Sequence, residues 1–99
     1  MVDQVTILPA AQSEMQDAHD WYEERRAGLG DAFLRAVEAC VLSIRRAPEG
    51  FSLVHGNYRR AVVRKFPYAV FYEYAEGAIT IYSVFHCSQD PEKLRDRLP

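Results

Sequence analysis

The largest concentration of positive charge without an intervening acid lies in the second half of the sequence, in one short basic run. Residues 59–65, RRAVVRK, contain four cations and no acid, namely Arg59, Arg60, Arg64 and Lys65. Guanidinium groups bind phosphates and carboxylates through paired hydrogen bonds, so this run predicts contact with an anionic partner. The structural alternative is an exposed strand edge that its own charges protect from aggregation.

His86 is a second candidate because its imidazole can take up or release a proton near neutral pH. Metal-free RNA cleavage needs a base for the 2′-hydroxyl, an acid for the leaving oxygen and cations for the charge on phosphorus. For a nuclease, the catalytic candidates are therefore Arg59, Arg60, Arg64 and His86. The structural alternative for His86 is a histidine at a strand end with a local hydrogen bond.

A binding site has a slightly different set of candidates. These are Arg59, Arg60, Arg64, Lys65 and Tyr72. In a strand, the two-residue period places Arg60 and Arg64 on one face and the other two cations on the opposite face. The tyrosine ring can stack on a base, although tyrosine also favours strands for its packing alone.

Composition and motifs exclude several other classes of function. The net charge is −2, so the basic run is a local feature that suits one anionic partner better than a general nucleic-acid coat. Cys40 and Cys87 form no C-x-x-C pair, and the sequence contains no glycine-rich phosphate loop or cluster of metal ligands. We therefore expect no cofactor and no bound metal.

The length of 99 residues allows one domain, which we assign to residues 1–99. No apolar run approaches the roughly 18–20 residues that span a bilayer, so we expect no membrane segment. The first residues, MVDQ, lack the basic and apolar regions of a signal peptide. The sequence therefore predicts a cytoplasmic protein.

Periodicity predicts the elements that position these residues. Apolar residues at helical spacing predict one helix from residue 10 to about 25 and a second from about 31 to 46. Runs of β-branched and aromatic residues predict a β-like stretch in residues 2–8 and strands at 58–65, 68–74 and 78–86. Residues 91–98 form either a last helical turn or a loose tail. The order β-α-α-β-β-β indicates an α+β fold, in which a helical hairpin covers one face of a small, mostly antiparallel sheet.

Several segments, in this order, resemble the RelE/ParE superfamily of bacterial toxins. They are Trp21-Tyr22-Glu23 with Gly28-Leu29-Gly30 and Phe33; Arg59-Arg60 with Phe66-Pro67-Tyr68, Val70 and Tyr72; and Val84-Phe85-His86 with Asp90-Pro91. Each segment is weak alone, but together they cover nearly the whole chain. The fold of that superfamily agrees with the element order predicted from periodicity.

The resemblance implies a toxin of a type II toxin–antitoxin pair, closest to the ParE branch, which is associated with poisoning DNA gyrase. Toxins of this type inhibit growth and contribute to plasmid stabilization. The resemblance also implies a partner, a cognate antitoxin whose disordered C-terminal segment folds on the toxin in a hetero-oligomer. The basic run and Tyr72 would then contact the target or the antitoxin.

Two alternatives stay open at the level of sequence. The RelE branch cuts mRNA on the ribosome, and a member of that branch would use Arg59, Arg60, Arg64 and His86. Relatives often carry Gly-Arg-Arg after the histidine, whereas this chain has Cys87-Ser88-Gln89 and lacks two expected cations. A degenerate member that keeps the fold and antitoxin binding without toxicity is therefore the third interpretation.

Overall fold

Proline and glycine set the limits of the helical hairpin. Pro9 stands in the first turn of α1, Pro9–Arg25, where its missing N–H leaves no hydrogen bond unmade. Gly28 then adopts a left-handed conformation with φ 89°, which glycine tolerates without strain. The chain reverses there and continues as α2, Leu29–Arg46, which packs back against α1.

The computed structural model describes residues 1–88 and places five strands in one sheet. The strands are β1 (Val5–Ile7), β2 (Ser52–His55), β3 (Tyr58–Val62), β4 (Tyr68–Ala75) and β5 (Ala78–His86). Their spatial order is β1-β5-β4-β3-β2. Only the β1–β5 pair is parallel, and the three other neighbouring pairs of these five strands are antiparallel.

The main core lies between the hairpin and the sheet face that it covers. Its fully buried members include Phe33, Val37 and Ile44 of α2 and Val70, Tyr72, Ile79, Ile81 and Val84 of the sheet. Burying each such side chain contributes roughly 1.5–3 kcal/mol, which makes this layer the main source of stability. A smaller cluster on the opposite sheet face consists of Tyr58, Ala69, Phe71 and Phe85.

Hydrogen bonds of Glu23 and His19 hold the turn of the hairpin, and we call this set the hairpin clasp. The carboxylate of Glu23 accepts hydrogen bonds from the backbone N–H of Gly28 at 2.7 Å and of Gly30 at 2.9 Å. The His19 ring bonds Asp20 at 2.9 Å and Asp31 at 3.1 Å, so it links the two helices. Hydrogen bonds to these two carboxylates raise the pKa of His19 above its ordinary value.

We expect Gly30→Ala to destabilise the protein by about 1–3 kcal/mol, because an added Cβ overpacks the clasp. That Cβ would lie 2.5 Å from the backbone oxygen of His19 and 2.9 Å from Oε1 of Glu23. Urea denaturation followed by circular dichroism measures the change. Alanine favours a helix over glycine by up to about 1 kcal/mol, so an unchanged or higher stability would show that the close approach does not restrict this position.

The predicted fold class is confirmed, with one strand more than the sequence indicated. We did not predict β2, because all four of its residues are exposed and give no alternation of buried and exposed positions. The predicted strand over residues 58–65 ends at Val62, three residues early.

The tail predicted at residues 91–98 lies outside the described residues. No helix within residues 1–88 is long and apolar enough to cross a bilayer.

Candidate functional site

The four cations of the basic run separate into three environments, the first of which belongs to Arg59. Its guanidinium donates hydrogen bonds to the backbone oxygens of Glu49 at 3.1 Å and Phe51 at 2.7 Å. The residue is half-buried on the helix-covered face of β3, where Ala61 is also buried. Arg59 therefore anchors the segment between α2 and β2. Its role in binding a partner stays a prediction.

Arg60 lies on the opposite face of the sheet. It alternates with Arg59 along β3, is exposed, and has a guanidinium nitrogen 3.8 Å from the Sγ atom of Cys87. Cysteine sulfur is a weak hydrogen-bond acceptor, so the charge of Arg60 remains open to solvent or to a partner. The alternation predicted for Arg59 and Arg60 is thus correct.

Arg64 and Lys65 do not continue the strand, so the faces predicted for them are wrong. Both belong to the turn between β3 and β4, which the hydrogen bond from Val63 N to Tyr68 O closes at 2.9 Å. Lys65 has φ 69°, a left-handed conformation that ends the strand alternation. The turn carries both cations toward α2 rather than toward Arg60.

There the two cations join two others around a groove of about 630 Å³. We call it the cationic groove, and it is lined by Arg26, Leu29, Ala32, Arg35, Ala36, Arg64, Lys65 and Phe66. Its four charged residues are all exposed, all positive and supplied by three parts of the fold. Among the described residues that line it, none is acidic. The groove therefore combines a small apolar floor with a rim of positive charge.

Sequence reasoning missed half of this rim. Arg26 and Arg35 are nine residues apart, and only the reversal at Gly28 brings them to the same end of the hairpin. Arg26 comes directly after α1, whereas Arg35 lies on the exposed side of α2. The sequence shows the two arginines on either side of the glycine break, but only the packing of the hairpin places them beside the turn at Arg64.

His86 lies at a different groove, close to the end of α1. Its Nδ1 atom accepts hydrogen bonds from the hydroxyl of Ser88 at 2.7 Å and from the Ser88 backbone N–H at 3.1 Å. Its ring packs edge-on against Tyr68 at 5.1 Å. This is the local hydrogen bonding that the structural alternative predicted.

The predicted nuclease residues do not meet at one point. The register pairs Arg59 with Tyr72 in the middle of β4, whereas His86 pairs with Tyr68 at its start. Arg60 lies on the opposite sheet face, and the turn directs Arg64 toward α2. A general acid or base must be within hydrogen-bond reach of the group that it serves, and His86 has no such arrangement with Arg59 or Arg64 in this structure.

Tyr72 is the one predicted binding residue that the structure buries completely. Its exposed fraction is 0%, and its hydroxyl donates a hydrogen bond to the backbone oxygen of Pro48 at 2.7 Å. Burial raises the pKa of Tyr72 to about 12. The side chain lies inside the main core and offers no surface in this structure, and the contact of Tyr72 with a partner stays a prediction.

Potential metal ligands and thiols are accounted for by the fold. His19, Glu23 and Asp31 bring possible ligand atoms within 4.8 Å of one another, but each already forms the hydrogen bonds of the hairpin clasp. The half-buried Cys40 faces the backbone oxygen of Ala61 at 3.7 Å. Burial raises its pKa to about 11, which keeps the thiol protonated and unreactive at neutral pH.

A helical hairpin packed on one face of a five-stranded sheet, with a groove on either side, defines a small α+β domain. The same fold occurs in a solved structure described as "Chromosomal ParDE TA system from P. aeruginosa". The TM-score is 0.76 at 10% sequence identity, over 86% of this chain and 96% of that one. Among proteins of curated function, none matches the sequence.

The sequence itself identifies the family. Residues 5–91 match the family described as ParE toxin of type II toxin-antitoxin system, parDE. The chain therefore belongs to the ParE toxin family and is a toxin of the type II class. The predicted resemblance, including its ParE branch, is confirmed.

Proposed function

We propose that this toxin inhibits growth by binding and blocking DNA gyrase in the bacterial cytoplasm, and that a cognate antitoxin neutralises it. Membership of the ParE family supports the choice of gyrase over the ribosome. The separation of His86 from Arg59 and from the turn that carries Arg64 also supports a blocking mechanism over cleavage of mRNA.

The cationic groove is the observation that carries the antitoxin part of the proposal. Four exposed cations around an apolar floor attract a segment that carries both acidic and apolar side chains. Arg35 and Arg64 can each hold a carboxylate through two parallel hydrogen bonds, whereas Lys65 acts as a point charge. Leu29 and Phe66 provide apolar surface for the side chains between the acids.

The antitoxin is expected in the reading frame that adjoins this one. Its acidic segment is disordered when free and folds as it enters the groove, which lets a short segment cover a large surface. The product is a toxin–antitoxin hetero-oligomer. Salt should weaken the complex, because the rim charges are exposed and the Debye length at physiological ionic strength is about 8 Å.

Induced expression with two parallel readouts tests the target. We expect growth arrest with gyrase-dependent DNA breaks and loss of plasmid supercoiling, while transcripts remain intact at early times. Co-expression of the adjoining reading frame should restore growth. The protein that it encodes should co-purify with the toxin. Early transcript cleavage would instead identify an mRNA endonuclease, and unimpaired growth would identify a degenerate, non-toxic member of the family; either result contradicts the proposal.

A further inference from the structure

A second groove lies beside α1, where Pro67 ends the turn between β3 and β4. It has a volume of about 590 Å³ and opens between α1 and the ends of β4 and β5. We call it the acid–aromatic groove and define it by Glu14, Asp17, Trp21, Tyr22, Tyr68 and His86. Neither the family match nor the basic run accounts for it.

The acids of this groove come from one side of α1. Glu14 is half-buried, and its Oε1 atom accepts hydrogen bonds from the hydroxyl of Ser83 at 3.0 Å and the backbone N–H of Val84 at 3.3 Å. Asp17 is exposed at the rim. Among the described residues that line the groove, none is Lys or Arg. The lining therefore carries acidic side chains where the cationic groove carries basic ones, and the guanidinium of Arg25 lies beside it on Trp21.

The aromatic side chains supply flat surfaces beside these acids. Trp21 is 51% exposed, an unusual exposure for so large an apolar ring. The guanidinium carbon of Arg25 lies 3.3 Å from the centroid of its indole ring. The indole of this chain thus already stacks on a guanidinium group. Tyr22 and Tyr68 continue the aromatic wall, with ring centroids 6.2 Å apart.

We propose that the acid–aromatic groove is a docking site for an arginine side chain of a partner protein. Arg25 covers one side of the Trp21 ring, but the residue stays 51% exposed, so the planar guanidinium of a partner can stack on the open surface while its N–H groups bond the carboxylate of Asp17. Lysine has neither a planar group nor paired donors. The same arginine is repelled by the four cations of the other groove. The partner segment that fits here is therefore basic, in contrast to the acidic segment proposed for the cationic groove.

This inference does not depend on the proposed toxin–antitoxin pairing, because the isolated chain can be tested. Trp21 is the single tryptophan of the sequence, so its fluorescence reports on this groove alone. The probe is N-acetyl-arginine N-methylamide. The matched citrulline amide has nearly the same shape as the arginine probe but no charge. The matched lysine amide has the positive charge but lacks the planar guanidinium group.

We expect a saturable change in Trp21 emission with the arginine probe and binding at least about 10-fold weaker with the citrulline and lysine probes. Asp17→Asn should weaken arginine binding by about 3- to 10-fold without a change in thermal stability, because Asp17 is exposed. Glu38→Gln on the exposed side of α2 removes the same charge elsewhere and should leave binding unchanged. Equal binding of the three probes, or equal loss in the two variants, would overturn the inference.

Discussion

Replacing Arg35 and Arg64 together with glutamine is expected to lower antitoxin affinity by about two to four orders of magnitude. Each guanidinium that bonds a carboxylate contributes about 1.5–3 kcal/mol, and the two lie on separate elements, so the losses should nearly add. Both side chains are exposed, so the fold should keep its stability. Titration calorimetry against the antitoxin from the adjoining reading frame measures the change.

The matched control removes the same charge from exposed positions outside the cationic groove. Arg46 ends α2 and Arg60 lies on the opposite sheet face, so Arg46→Gln with Arg60→Gln should change affinity by less than about 1 kcal/mol. Equal losses in the two double variants would mean that net charge, rather than the groove, attracts the antitoxin. An unchanged affinity in the groove variant would place the acidic segment elsewhere.

The hairpin was predictable because each of its features is local. Apolar residues at helical spacing, a break at Gly28 and Gly30, and basic residues in the last turn of α2 all lie within a few positions of one another. The strand β2 carries no such signal. Leu53 and Val54 are its two large apolar residues, and both stay exposed because no layer covers the edge of the sheet.

The candidate site was predictable only in part, for the same physical reason. Charge density identified Arg64 and Lys65, which do line a groove, but it gave equal weight to Arg59. Whether an arginine binds a partner or a backbone oxygen depends on the loop that packs beside it. The β-strand period also failed beyond Val62, because the left-handed turn at Lys65 is not encoded by apolar alternation.

Phe33 connects the two grooves through the core. Its ring is 0% exposed and packs at 5.3 Å from Phe66, which lines the cationic groove. It also lies 5.4 Å from Tyr22 and 5.0 Å from Tyr68, which line the acid–aromatic groove. One buried aromatic ring therefore supports side chains of both proposed docking surfaces.

Phe33→Ala is expected to lower the free energy of unfolding by about 3–5 kcal/mol, because it removes a buried ring and leaves a cavity among three aromatic neighbours. A domain of this size has a total stability of about 5–15 kcal/mol, so growth inhibition should become temperature-sensitive. Urea denaturation measures the loss, which should shrink to about 1–2 kcal/mol for Phe33→Leu. The exposed Leu53→Ala serves as the control and should stay within about 0.5 kcal/mol. If Phe33→Ala costs no more than this control, the ring does not support the two grooves.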